Sequence, residues 1–189
     1  MPLTPPDVTK LVADALSSAL MVGPAAPKLA FAVGIGVCQW LGALTVVTND
    51  VGTAGSGIGQ FPCPIPPSLL LAALSSNLPS AGIAGPSSAQ LASGLANGLA
   101  ASFAKGIITT VHPIVGVGVG VASFPGPSAI PFMLSGFGSA SLVGSSAANL
   151  ATAIGSSLDQ AFAGFTIPIP IVGAPTPFAA TGVGGGKIV

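Results

Sequence analysis

Charge is what this chain of 189 residues lacks most. Only 4% of its residues are Asp, Glu, Lys or Arg, against roughly a quarter in an ordinary soluble domain. The ionic inventory is Asp7, Asp14, Asp50 and Asp159 against Lys10, Lys28, Lys105 and Lys187, with no Arg, no Glu and no Tyr. Four scattered lysines balanced by four aspartates cannot build the basic face that a phosphate backbone demands, so nucleic-acid binding is excluded. Specific attraction to the anionic headgroups of a membrane surface fails on the same count. Disorder is not implied either, because it couples low hydrophobicity to high net charge, whereas here 50% of residues are apolar and the net charge is zero. Such a surface is stable when other chains cover it, or when lipid does.

Residues that carry chemistry are equally scarce. Cys38 and Cys63 form neither a disulfide framework nor a CxxC pair, and one histidine cannot complete a zinc site with them; both read as small buried thiols. His112, between Thr110-Val111 and Pro113 at a strand entrance, reads as structural, since no Gly-x-Ser-x-Gly elbow accompanies it. No Gly-x-Gly-x-x-Gly occurs, and Lys187 after Gly184 to Gly186 is followed by Ile188 in place of the hydroxyl that would meet magnesium. Thr48-Asn49-Asp50 offers one carboxylate without spaced oxygen ligands and reads as a turn. The expectation is no enzyme, no metal and no cofactor. Trp40, among Cys38, Leu41 and Leu44, reads as a core anchor, and Lys10 with Asp14 as a solvated helix face.

What is present is a pattern written three times. Val22-Gly-Pro-Ala-Ala-Pro-Lys-Leu29, Ala84-Gly-Pro-Ser-Ser-Ala-Gln-Leu91 and Val143-Gly-Ser-Ser-Ala-Ala-Asn-Leu150 each place glycine six residues before leucine. From those leucines an apolar residue returns every fourth position: Leu29, Val33, Val37, Leu41; Leu91, Leu95, Leu99, Phe103; Leu150, Ile154, Leu158, Phe162. That period is a helical stripe, and spacings of 62 and 59 residues between copies are those of an array. Upstream helices are expected from Asp7, as a cap, over Val8 to Leu20, from Ser68 to Asn77, and from Pro131 to Val143, the last weakened by Gly136 and Gly138. A joint as short as Gly-Pro or Gly-Ser makes each pair a tight helical hairpin.

Downstream each copy ends in alternating glycines: Gly55, Gly57, Gly59; Gly116, Gly118, Gly120; Gly182, Gly184, Gly186. Alternation bares one face of an extended strand, where another backbone can approach closely. Copy three adds a proline-rich insertion at 167–177, in which Pro168 and Pro170 forbid a central strand and suit an arm lying on a neighbour. The predicted fold class is therefore α+β, mainly helical, with three diverged repeats of helical hairpin plus glycine-rich strand, spanning 1–66, 67–128 and 129–189. The glycines and the two prolines are the candidate protein-interaction residues.

Leu29 to Val47 runs nineteen residues without a charge and by length could cross a bilayer. Its sibling segments Leu91 to Lys105 and Leu150 to Phe165 carry Ser, Asn, Gln and Asp, which make poor spans. The N-terminal run MPLTPPDVTKLVADAL reads as a proline-led helix start, and no signal peptide is expected.

Thr110-Val-His-Pro-Ile-Val-Gly-Val-Gly-Val-Gly-Val, the terminal Gly182-Val-Gly-Gly-Gly-Lys-Ile-Val and the alanine-glycine helices before them resemble the small glycine-rich virion structural proteins of tailed bacteriophages, especially contractile-tailed ones. The resemblance implies a non-enzymatic tail or baseplate component, located in the virion and packed in homo- or hetero-oligomeric contact with other virion proteins or copies of itself. The alternative reading is a membrane-inserting or pore-forming protein.

Overall fold

A computed structural model describes residues 4–43, 67–104 and 128–163 with their side chains, and the backbone alone of 45–51, 55–60, 107–114, 117–122, 167–172 and 181–187. The part with side chains consists of six helices: α1 (Pro5–Ser18), α2 (Ala25–Ala43), α3 (Pro67–Ser80), α4 (Pro86–Phe103), α5 (Ala129–Ser139) and α6 (Ser145–Ala163). The first begins earlier than its apolar pattern suggests. Proline at its first position needs no donor, the Thr4 carbonyl accepts from the amides of Asp7 and Val8 at 3.0 and 3.2 Å, and the Asp7 carboxylate accepts from the Thr4 amide at 3.2 Å. Asp7 thus serves in the first turn rather than as the cap, and its bonds to Thr4 hold its carboxyl below the usual carboxylate range.

Each hairpin turns in the same way. The amides of Met21, Ile83 and Leu142 reach back to the carbonyls of Leu16, Leu78 and Phe137, all at 2.9 Å, closing the outgoing helix as a Schellman motif does. The residue before each of these amides is left-handed: Leu20 (φ 57°), Gly82 (φ 80°) and Ser141 (φ 60°). Only the middle copy has the residue that adopts this conformation without strain. Leu20→Gly and Ser141→Gly are each expected to raise stability by about 1 kcal/mol, read from urea unfolding. Leu20 is 85% exposed, so its removal forfeits little burial.

The helices close into a ring, each packing on the next and α6 returning to α1. The outer helices bury one narrow stripe: Val8, Val12 and Leu16 on α1; Leu70, Leu74 and Leu78 on α3; Ala129, Met133 and Phe137 on α5. The inner helices α2, α4 and α6 bury more of their circumference, with Val33, Leu95 and Ile154 all at 0% exposure. Between hairpins the backbones approach over small residues. A Cβ on Gly36 would lie 2.8 Å from Leu74 of α3, and one on Gly98 would lie 2.9 Å from the Met133 Cα of α5.

The α+β expectation is corrected by this arrangement. Among the residues described with side chains there are six helices and no strand, and the described core is helix on helix throughout. The physical reason is that both helices of every hairpin find their apolar partners in neighbouring helices, so ring closure itself buries the stripes without a sheet face. In backbone alone, β1 (Thr45–Val51), β2 (Gly55–Gln60), β3 (Ile107–Ile114), β4 (Val117–Ala122), β5 (Ile167–Val172) and β6 (Thr181–Lys187) lie antiparallel in the order β5-β4-β3-β2-β1-β6. That is two extended stretches per unit where one was expected. The helix expected over Pro131 to Val143 runs instead from Ala129 to Ser139.

Candidate functional site

The side-chain surroundings of Gly55, Gly57, Gly59, Gly116, Gly118, Gly120, Gly182, Gly184, Gly186, Pro168 and Pro170 lie outside the described residues, as do those of Cys63, His112 and the segment Thr48 to Asp50. The site is built from the two ends and the seams of the helical ring.

At the end where the inner helices finish, Trp40 is 1% exposed and meets Phe103 edge to face with centroids 4.9 Å apart, while Phe103 meets Phe162 in the same way at 4.8 Å. Offset edge contacts of this kind add about 1 kcal/mol each beyond their burial. The Trp40 Nε1 is buried without a hydrogen-bond partner among the described residues. Nearby Cys38 is half-buried, and that burial, with a smaller contribution from Asp7, pushes its thiol up to about 11. At pH 8 it is therefore almost wholly the unreactive thiol, and iodoacetamide labelling of Cys38 in the folded Cys63→Ser protein is expected to be slow and to accelerate steeply as pH rises toward 11.

Among the described residues, Asp159 is the one carboxylate that joins two helices. From α6 it accepts the Ala129 amide at 2.7 Å and the Ser128 hydroxyl at 2.6 Å, capping α5 beside the Ser128 side chain, which itself accepts from the Ile130 amide at 3.2 Å. Asp159→Ala is expected to destabilise by about 1–2 kcal/mol in thermal or urea unfolding, since it frees a helix-initiating amide. The pair Lys10–Asp14, at 2.9 Å with both side chains mostly exposed, raises the lysine pKa through its hydrogen bond to Asp14 but lies where solvent weakens its worth. No cluster of three or more His, Cys, Asp or Glu occurs among the described residues.

At the opposite end, where the three hairpin turns stand, an apolar funnel of about 430 Å³ opens. Leu29, Leu91 and Leu150, the first residues of the three stripes, converge on it, with Leu16, Met21 and Ile83 completing the hydrocarbon wall. One turn further along the three stripes, Val33, Leu95 and Ile154 are fully buried. Leu20, Val22 and Val143 stand exposed at this end at 85%, 75% and 81%. A second groove, of about 600 Å³ and mixed polar and apolar lining, follows the α1–α6 seam, lined among others by Leu11, Asp14, Thr152, Ser156 and Gln160. Thr152 and Ser156, which line it, occupy the positions in the repeat that Phe31 and Ile35 hold on α2.

The apolar spacing locates the leucine stripes but not the funnel, because a stripe does not say which of its residues lacks cover. Asp159 carried no local signal at all, since its partners are thirty residues away in sequence. The α2 helix is long and apolar enough to cross a membrane, yet half of that window is buried inside the ring, and it ends at Ala43, short of the run to Val47. Comparison with protein-family models, with curated proteins and with solved structures found no match.

Proposed function

We propose that this chain is a non-enzymatic structural protein of a tailed-bacteriophage virion, a tail or baseplate component held among other virion proteins or copies of itself. The observation that carries the reading is the closed ring of three like hairpins. A single chain built this way presents three similar surfaces about one axis, which suits a threefold spike or half of a sixfold ring. Two further features support it. Leu20, Val22 and Val143, the most exposed of the large apolar side chains among the described residues, stand at one end of that axis, while Phe31, Leu69, Leu71 and Leu134 are exposed along the helices. The described surface carries few charges, so neighbouring backbones can approach without desolvating ions.

The test is to dissociate purified particles, identify the chain by mass spectrometry, and label its position with antibody in electron micrographs. Signal at the tail or baseplate is the expected result. The reading is sunk if the chain is missing from particles and instead fractionates with membranes, with Leu29 to Val47 protected from protease. That outcome would favour the membrane-inserting alternative, which has α2 as its candidate span; against it, half of the α2 window is already packed in the ring.

A further inference from the structure

We infer that the funnel at the turn end of the ring is a binding site for one single-chain anionic amphiphile, of the class of medium-length alkyl carboxylates. Three observations converge there. The first is shape: about 430 Å³ of concave space falls within the range of small-molecule pockets, and the alanines Ala25 and Ala26 at its side leave it unfilled. The second is chemistry. The wall side chains are aliphatic or thioether groups, and none of the described carboxylates lines it. A hydrocarbon chain is what such a wall recognises, because water inside it gains no hydrogen bonds from the side chains.

The third observation places the head group. Lys28 is exposed, makes no ion pair among the described residues, and lies over the second turn, where a Cβ on Gly82 would sit 3.2 Å from its Nζ. Its chain neighbour Leu29 and the Gly82 neighbour Ile83 both line the funnel. Lys28 does not itself line the funnel; its ammonium stands by Gly82, one residue removed from the lining on each of the two segments, from where the flexible side chain can reach a carboxylate whose alkyl chain points inward. One cation suffices for one carboxylate, whereas a charged membrane surface would require several, which this chain does not have. Met21 and Val22 also line an adjoining pocket of about 200 Å³, and the flexible methionine between the two gives room for chains of different length.

The experiment is calorimetric titration of the full chain with octanoate, decanoate, dodecanoate and tetradecanoate below their micellar concentrations, with native mass spectrometry for stoichiometry. One molecule is expected to bind, with affinity rising about fourfold per added methylene until the funnel is full and then levelling off. Dodecyltrimethylammonium should bind at least tenfold more weakly than dodecanoate, and Lys28→Gln should abolish that difference. Ala26→Phe, which occupies the funnel from a helical position, should reduce binding of both at least tenfold while leaving the far-ultraviolet circular dichroism of the chain intact. If Ala26→Phe perturbs the fold, Ala26→Leu serves the same purpose with less added volume. Phosphatidylglycerol vesicles should not retain the chain on flotation. Absence of saturable one-to-one binding, equal affinity for the two head groups in the native chain, unchanged binding in the filled variants, or retention on vesicles without binding of the monomeric acids would each overturn the assignment.

Discussion

Replacing Gly136 with alanine is expected to destabilise the protein by about 3 kcal/mol, measured as a lowered midpoint in urea or thermal unfolding. The added methyl group would meet backbone on two sides: the Gly94 carbonyl oxygen at less than contact distance and the Gly98 nitrogen at 2.7 Å. Backbone cannot rotate away as a side chain can, so α4 and α5 would have to separate along their crossing. Two turns of α4 depend on that approach, because Gly94 would itself meet the Phe137 ring and Gly98 the Met133 backbone if given side chains. The control lies two residues on. A Cβ on Gly138 meets nothing within 4 Å, so Gly138→Ala should raise stability by up to about 1 kcal/mol through helix propensity alone. Equal effects at the two positions would show that the close crossing does not exist.

Truncating Leu95 to alanine should cost about 4 kcal/mol, because the side chain is fully buried at the centre of α4, level with Val33 and Ile154 on the other inner helices. Set against a total stability of about 5–15 kcal/mol, a loss of that size leaves a marginal fold at physiological temperature. Alanines are numerous in the same buried cluster, Ala32, Ala92, Ala96 and Ala151 among them, and such short side chains offer little to collapse into the cavity. Val143→Ala, at 81% exposure, should change stability by less than about 0.5 kcal/mol and separates core loss from a general effect of truncation.

These two sites differ in how they could be read from the chain. Leu95 belongs to an apolar period of four and was legible as a core position in one dimension. Gly136 was legible only as a weakness, a poor helix former in the least regular of the upstream segments. Its position in α5 reverses that reading: the missing side chain is what admits α4. The same holds for Asp7 and Asp159. Asp7 acts on Thr4, three residues away, and its helix-starting role can be inferred locally, though at the wrong position of the first turn. Asp159 acts on Ser128 and Ala129 across the α5–α6 interface, and nothing near it in the chain foretells that.

The error in fold class has a similar origin. Alternating glycines describe a local backbone preference, and a strand in each unit is what that preference predicts. Yet a preference for extension does not determine what closes the core. Closure depends on whether helical stripes from different units can meet, and that is settled by the steric profile of the residues between the stripes. Gly36, Gly98 and Gly155 admit Leu74, Met133 and Ile130 at distances that a side chain on the glycine would forbid.

By itself, then, the sequence determined the features set by neighbours within a turn or two: where helices run, which of their faces is apolar, where the tight joints fall, and how little charge is available for any partner. Tertiary structure alone decided that the hairpins close as a ring, that glycines mark the crossings, that Asp159 caps a distant helix, and that the heads of three stripes leave a funnel beside Lys28. The division follows from range. Periodicity and capping are energies of contiguous residues, whereas closure, burial and cavities arise only when segments some sixty residues apart in sequence are brought into van der Waals contact.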